Sequence, residues 1–550
     1  MSTQLLLGGS IHTPANPDAT AMAVTDGTVV WVGYDDVGRA LHPEVEVIDL
    51  EGRFVGPGFV DPHLHLTATG LARSGLDLAS ARNRPDLLER LRAYAADLPA
   101  GQPVWARGWD ESTWSAGQAD DLRLPTVAEI DAAVGGRPAY LVRVDEHSAL
   151  ASTALRDGIV GLGEAAGFSE SGPLTAAAHH SVRAAARGLL TSDQRADARR
   201  RALREIAALG VVAVHENGGP DIAGPTDFAE VLAADTGTGV EIVGLWGEAV
   251  ADVEHARNLL ATTGAYGLSG DLFVDGALGS RTAWLSEPYA DDPGTTGLSY
   301  LDADAVYAHL RALTQLHRQA GFHVIGDAAM TAVTTALARL ADEVGTPALA
   351  ACAHRVEHAE MVDAQQRAVL ARCGVIASMQ PAFDAEWGGR GQMYEQRLGE
   401  ARASAMNDFA AMAKAGVALA FSSDSPVTPV SPWAAVGAAV GHHRPTSAVS
   451  ARAAYGACTR GGWRAVGRND GLTGLLVPGA PASYAVFDAD NLVVAGSDST
   501  VQRWSTDPRS RVPALPDVSP GAPIPVCVRT VHRGAVLHDS GALRATAGVA

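Results

Sequence analysis

The pattern of apolar and polar positions changes rhythm twice along this chain. Near the start, QLLLGGSIHTP and AMAVTDGTVVWVG alternate the two around turn signals, with Asp26-Gly27 set between strand-like runs as in a hairpin. The same texture returns near the other end in ASYAVFDAD and PVCVRTVHRGAVLHD. The two ends therefore predict one small composite β-sandwich domain, residues 1–57 plus 470–550.

Between them, short apolar runs that finish in polar residues alternate with Ala-, Leu- and Arg-rich stretches of helical period, the signature of βα units around a parallel sheet. Eight runs fit: FVDPHLH at 59–65, VVAVHE at 211–216, VEIVGLW at 240–246, LFVDG at 272–276, FHVIGD at 322–327, HRVEH at 354–358, VIASMQ at 375–380 and VALAFSSD at 417–424. The expected fold class is α/β, a (β/α)8 TIM barrel over 58–469. Residues from about 70 to 205 break the rhythm with two more strand-like runs, PVWARGWD and AYLVRVDE. They read as an insertion after the first barrel strand, placed to act as a lid.

The polar residues of these runs carry the candidate chemistry. His63 and His65 alternate on one strand and so face the same side, which lets both reach one metal ion. His323 lies in the fifth run, His358 closes the sixth and Asp424 the eighth. Singly, each histidine reads as easily as a satisfied structural residue, and Asp424 in SSDSP as a helix cap. Together they gather near the carboxyl ends of barrel strands, where such folds build active sites.

Composition narrows the choices. A formal net charge of −20 with scattered arginines excludes a phosphate-reading nucleic-acid surface. The first residues lack a basic flank, and no apolar run reaches bilayer length, so a cytoplasmic protein acting on a small molecule, with no membrane partner, is expected. A homodimer stays open. Cys352, Cys373, Cys458 and Cys527 are too far apart for a zinc ribbon and read as buried free thiols. The chain holds a single lysine, Lys414, in the helical stretch FAAMAKAG.

The segments GPGFVDPHLH, FVDGALGSRTA, FHVIGDAA, RVEHAE, SMQP and FSSDSPV, in this order, resemble the signature segments of the amidohydrolase superfamily. More narrowly they resemble its family 3 branch, which includes N-substituted formamide deformylases. The resemblance implies metal ligation by His63, His65, His323 and Asp424, with His358 either holding a second ion or contacting substrate. Many relatives place a carboxylated, metal-bridging lysine four residues before the Asp-Gly of the fourth strand; this chain has Asp271 there, and Lys414 belongs to the outer helical ring. One divalent ion is therefore expected, zinc by default, with iron or manganese also compatible with the donors. For a second ion the candidates are His358 and Asp275, with Asp275 better placed than Asp271 and Glu216 offering another acid; Asp275-Gly276 reads equally well as a turn.

Arg281, Trp284, Trp109 and His147 are candidate substrate contacts; of these, Trp109 and His147, with Trp114, lie in WDESTW and VDEHSAL of the insertion and read equally well as lining the entrance or as packing the insertion. His179-His180 is expected to face solvent, and His442-His443 is set aside as a ligand pair. The implied activity is hydrolysis of a non-peptide C–N bond, in a small amide or an N-substituted formamide, by metal-activated water with Asp424 as proton acceptor and His358 assisting. Two rivals stand beside it: a mononuclear deaminase of an amino-heterocycle, and a barrel retained as a non-catalytic scaffold.

Overall fold

The computed structural model describes residues 3–546, apart from positions 74, 100 and 116 and the segments 235–238 and 494–512. The part of the expected terminal domain at 494–512 and 547–550 thus lies outside the described residues. The architecture is a TIM-barrel-like α/β fold. Strands Phe59–Leu64, Val211–Gly218 and Glu241–Trp246 form one parallel sheet, and Gly321–Val324, Arg355–His358, Ile376–Met379 and Ala418–Phe421 form another. Single parallel bridges join them: Leu64 to Ser425 on one side, and on the other Leu245 to Gly267, Leu268 to Ala320 and Phe273 to His323.

The fourth run differs from its expectation. Residues 272–276 form no regular strand and pair with the sheet, among the described residues, through one isolated parallel bridge, Phe273 to His323. Gly270 interrupts the chain between the Leu268 and Phe273 bridges: its φ is +81°, and a Cβ there would stand 2.3 Å from Asn217 Oδ1. A residue in the left-handed region cannot continue an extended strand, and only glycine fits the space.

The helices outside the sheet follow their sequence patterns. Asp327–Val344 buries Met330, Val333, Leu337 and Leu340, a spacing of three and four residues that puts one apolar stripe on the barrel. Ser192–Ala207 begins at Thr191, whose side chain accepts the Gln194 N–H while the Gln194 side chain accepts that of Thr191. It ends the insertion and leads the chain back to the Val211–Gly218 strand.

Both chain ends contribute to two five-stranded sheets. One pairs Thr3–Leu7, Ala21–Thr25, Thr28–Gly33 and Glu46–Asp49 with Arg544–Thr546; the other pairs Ser10–Ile11 and Phe54–Pro57 with Tyr484–Asp488, Val526–His532 and Ala535–Asp539. Leu6, Met22 and Ile48 of the first share an apolar cluster with Val55, Val486 and Val528 of the second. Phe54 and Phe487 turn the other way and join the barrel's cluster, with the Phe487 ring 5.8 Å from that of Phe59. The insertion carries a five-stranded sheet of its own, with separate apolar clusters on its two faces.

An ion network ties the terminal sheets to the barrel. Glu241, which opens a barrel strand, accepts from His532 Nε2 at 3.2 Å, from Arg533 at 3.2 Å and from Arg468. Burial alone would raise this carboxyl, but its three basic partners outweigh burial and take it from 4.5 down to about 2. A depressed carboxylate stabilises the fold above its unfolded value and loses that contribution as pH falls toward the folded one. The native chain is therefore expected to weaken between pH 4.5 and about 2 in part through this group. Glu241→Gln should be less stable at neutral pH by about 1 kcal/mol, since water screens a partly exposed network. It should also show a flatter acid limb, checked by urea midpoints across that range.

Candidate metal centre

Four histidines converge where the strands end. His63 and His65 come from the first strand, with His65 at its exit into helix Leu66–Ala72, and His323 and His358 from two adjacent strands of the second sheet. The rings of His323 and His358 lie 4.4 Å apart, and those of His63 and His358 5.1 Å. Asp424 follows the last strand, its backbone N–H held by the His63 carbonyl at 2.8 Å. Asp424 and His358 both adopt positive φ, 55° and 67°. Side-chain-bearing residues pay for that conformation, and its occurrence at two functional candidates aims both side chains inward.

Each imidazole fixes one nitrogen outward as a donor. His63 Nδ1–H donates to Glu357 Oε2 at 2.8 Å, His65 Nδ1–H to the Asn217 carbonyl at 3.0 Å, and His358 Nδ1–H to Gln380 Oε1 at 2.9 Å. His323 does the same through Nε2–H, to the Gly276 carbonyl at 3.2 Å. Such outer acceptors set tautomer and ring orientation, so that the remaining nitrogen presents its lone pair to an ion. In all four rings that remaining nitrogen faces one carboxylate, Asp271. The distances are 3.5 Å from His63, 3.2 Å from His65, 3.4 Å from His323 and 3.7 Å from His358.

Asp424 Oδ1 lies 3.3 Å from His63 Nε2 and 3.4 Å from His65 Nε2. Two overlapping groups of donors result, His63–His65–Asp424 and His63–Asp271–His358. The donors fit a divalent ion. His63 Nε2, His358 Nε2 and Asp424 Oδ1 are buried without a hydrogen-bond partner among the described residues, a costly arrangement that an ion relieves.

The electrostatics agree. Burial opposes a charge on His65, but the neighbouring carboxylates of Asp271 and Asp424 outweigh it and push the imidazole up to about 9. Burial likewise opposes ionisation of Asp424, yet His63 and His65 hold its carboxyl below the usual carboxylate range. The pocket thus favours positive charge beside ionised carboxylates, the condition for binding a cation. Behind His63, Arg355 donates to Glu357 through two nitrogens and to the Pro62 carbonyl at 2.7 Å. Against the cost of burial, Arg355 takes Glu357 down to about 2, so the acceptor behind His63 stays charged.

Several expectations need correction. Asp275 is no candidate ligand: its carboxylate accepts backbone N–H groups from Trp284 at 2.9 Å, Ile325 at 3.0 Å and Gly326 at 2.7 Å, and so ties a loop. Asp271 occupies the place expected of it. Glu216 likewise points to backbone, accepting from Leu66 N–H at 2.6 Å. Arg281 pairs with Asp291 at 2.7 Å, and Trp284 packs against the barrel's apolar cluster.

Trp109 donates from Nε1 to the Leu141 carbonyl at 2.9 Å inside the insertion's core, beside Trp114. His147 does reach the centre, its ring 5.1 Å from that of His323 and 5.5 Å from Phe273. Burial and the neighbouring His323 keep it neutral. His179, expected at the surface, is buried and bonded to Tyr140 Oη at 3.0 Å, while His180 stacks on Phe273. His442 and His443 gather on Asp384, but both His442 nitrogens are engaged, by Asn407 and Arg444 backbone groups. Lys414 is exposed at the end of its helix. The four cysteines are free and buried.

Glu357 and Arg355 were missed in the sequence. Their signal was an arginine and a glutamate two apart on one face of an otherwise apolar strand, which is costly unless they pair.

With this geometry in place, comparison with known proteins settles the family. A family model described as the amidohydrolase family, of its third branch, matches residues 46–538. The chain belongs to the amidohydrolase family. It is similar to the Bacillus subtilis protein YtcJ, 28% identical over 79% of this chain and 82% of that one. A stretch of 168 residues, 30% of each chain, is 29% identical to an N-substituted formamide deformylase of Arthrobacter pascens. A solved structure of an uncharacterized metal-dependent hydrolase from Pyrococcus horikoshii superposes with a TM-score of 0.68 at 25% identity, over 89% of this chain and 98% of that one. This amidohydrolase is a metal-dependent enzyme that hydrolyses carbon–nitrogen bonds. Among the described residues, none of its helices is long and apolar enough to cross a membrane.

Proposed function

We propose that this amidohydrolase cleaves the C–N bond of a small amide, with N-substituted formamides as the leading class. The observation that carries the reading is the set of four imidazoles, each anchored outward through one nitrogen and turned through the other onto Asp271. His63, His65, His323, His358, Asp424 and Asp271 would hold the ion, with Asp271 shared among the four histidines. A borderline-to-hard donor set of imidazoles and carboxylates suits zinc first. When bound, a divalent ion supplies Lewis acidity and makes water nucleophilic at neutral pH.

The chain's own groups do the rest. Asp424, ionised and buried, accepts the proton of the attacking water and returns it to the departing nitrogen. His358 stays oriented by Gln380, which in turn donates to Ser422 Oγ at 2.9 Å. His147 and Phe273 cover the His323 side and exclude solvent. The bridges at Leu64–Ser425, Leu245–Gly267 and Leu268–Ala320 support a closed barrel of eight units, and the apolar cluster shared by the terminal sheets supports a sandwich built from both ends. Free buried cysteines support a reducing, cytoplasmic setting.

The assay is direct. Purified enzyme incubated with N-alkyl formamides and small acyl amides should release formate or acid together with amine. Treatment with a chelator should abolish release, and zinc should restore it. Ammonia release from amino-heterocycles, with all amides untouched, would replace this reading with the deaminase.

A further inference from the structure

A small cavity lies between the insertion and the barrel, walled by Leu71, Trp105, Tyr140, Glu146, Arg183 and Arg187, with a volume of about 40 Å³. That holds about three water-sized groups, the size of a carboxylate. The cavity adjoins the metal centre. Ala68 in its wall follows His65 by three residues, Pro426 follows Asp424 by two, and Glu146 precedes His147, which stands against His323.

Arg183 and Arg187 sit one turn apart on helix Ala176–Gly188. Their guanidinium groups donate only to carbonyl oxygens: Arg183 to Asp221 at 2.5 Å and Glu146 at 3.5 Å, Arg187 to Ile222. Neither has a carboxylate within ion-pair distance among the described residues. The other deeply buried arginines do: Arg143 pairs with Asp110, Arg199 with Asp227 and Arg355 with Glu357. Arg183 is only 5% exposed, and its Nε has no partner; Trp105 Nε1, in the same wall, has none either.

Buried charge left unpaired is expensive, so an arrangement that keeps the buried Arg183 beside the half-buried Arg187 with no carboxylate on either points to an absent anion. The acid of the wall, Glu146, does not supply it. Burial raises its hold on a proton, against the pull of Arg183 and Arg187, and it forms no ion pair with either.

We propose that the substrate carries a carboxylate, which seats in this cavity against Arg183, Arg187 and Trp105 Nε1 while the scissile amide reaches the metal centre. The substrate class is then an N-formyl or N-acyl compound whose amine portion ends in a carboxylate, joined by a short apolar spacer that lies along Leu71 and Tyr140. This rests on the amide-hydrolase reading above. Charge-assisted bonds of this kind are the strong ones, and planar guanidinium suits carboxylate in particular.

The test compares kcat/KM for N-formyl ω-amino acids of increasing chain length with that for their methyl esters, using the full chain. For one chain length the acid should be favoured at least tenfold over its ester. Arg183→Gln and Arg187→Gln should bring that ratio toward one, while Arg183→Lys keeps part of it. Because these arginines also hold backbone carbonyls, a second measurement uses the unmodified chain alone: calorimetric binding of the free ω-amino acids against their methyl esters, with binding expected for the acids only. Esters turned over and bound as well as the acids would overturn the proposal and leave amide hydrolysis standing. If neither is hydrolysed, the formamide reading fails, and calorimetry still decides the cavity.

Discussion

Asp424→Asn is expected to lower kcat by about 10³-fold or more while leaving the melting temperature close to that of the native chain. Asparagine keeps the shape and can still meet His63 and His65, which stand 3.3 and 3.4 Å from Oδ1. It cannot accept a proton. The backbone that places residue 424 does not depend on its charge, since its N–H is held by the His63 carbonyl. Steady-state kinetics with thermal unfolding on the same preparation check this. Turnover within tenfold of native would move the proton acceptor elsewhere, and a collapse in melting temperature would show that the charge is structural.

The second large effect belongs to Asp271. This residue stands where many relatives carry a bridging lysine, and it faces all four histidines at 3.2–3.7 Å. Asp271→Ala removes the negative charge that the imidazoles share, so bound metal should fall by at least 100-fold in affinity and activity with it. Asp275→Ala should act differently. It strips three backbone N–H groups of their acceptor and should destabilise the chain by about 2 kcal/mol or more, with metal content retained in the folded fraction. Metal titrations and unfolding curves of the two variants separate a ligand from a loop tie.

The contrast between these two aspartates shows what was legible in the sequence. A strand that ends in a histidine or aspartate announces itself by period and position, so seven of the eight runs and the clustering of His63, His65, His323, His358 and Asp424 could be read. Choosing between Asp271 and Asp275 required knowing that the fourth run does not form a regular strand. A regular strand puts residues 271 and 275 on the same face, and the end of the run then looks better placed. Residues 271–276 instead form no regular strand, so the alternation does not hold and Asp271 points to the histidines while Asp275 points to the loop.

Distant partners were also illegible. Glu357 meets His63 across 294 positions, and nothing local marks such a pair. Trp109 took the packing alternative and His179 is buried where solvent was expected, for a common reason: the insertion has its own apolar clusters, and an aromatic or a histidine in WDESTW or AHHS serves those before it serves the barrel.

The most direct test of the metal centre is elemental analysis of the purified full chain beside a His63→Ala/His65→Ala double variant. The native chain should carry at least one divalent ion per molecule, zinc foremost, and the folded variant should carry almost none. A native chain free of divalent metal after growth and refolding in its presence, or a variant that retains the full complement, would contradict the account.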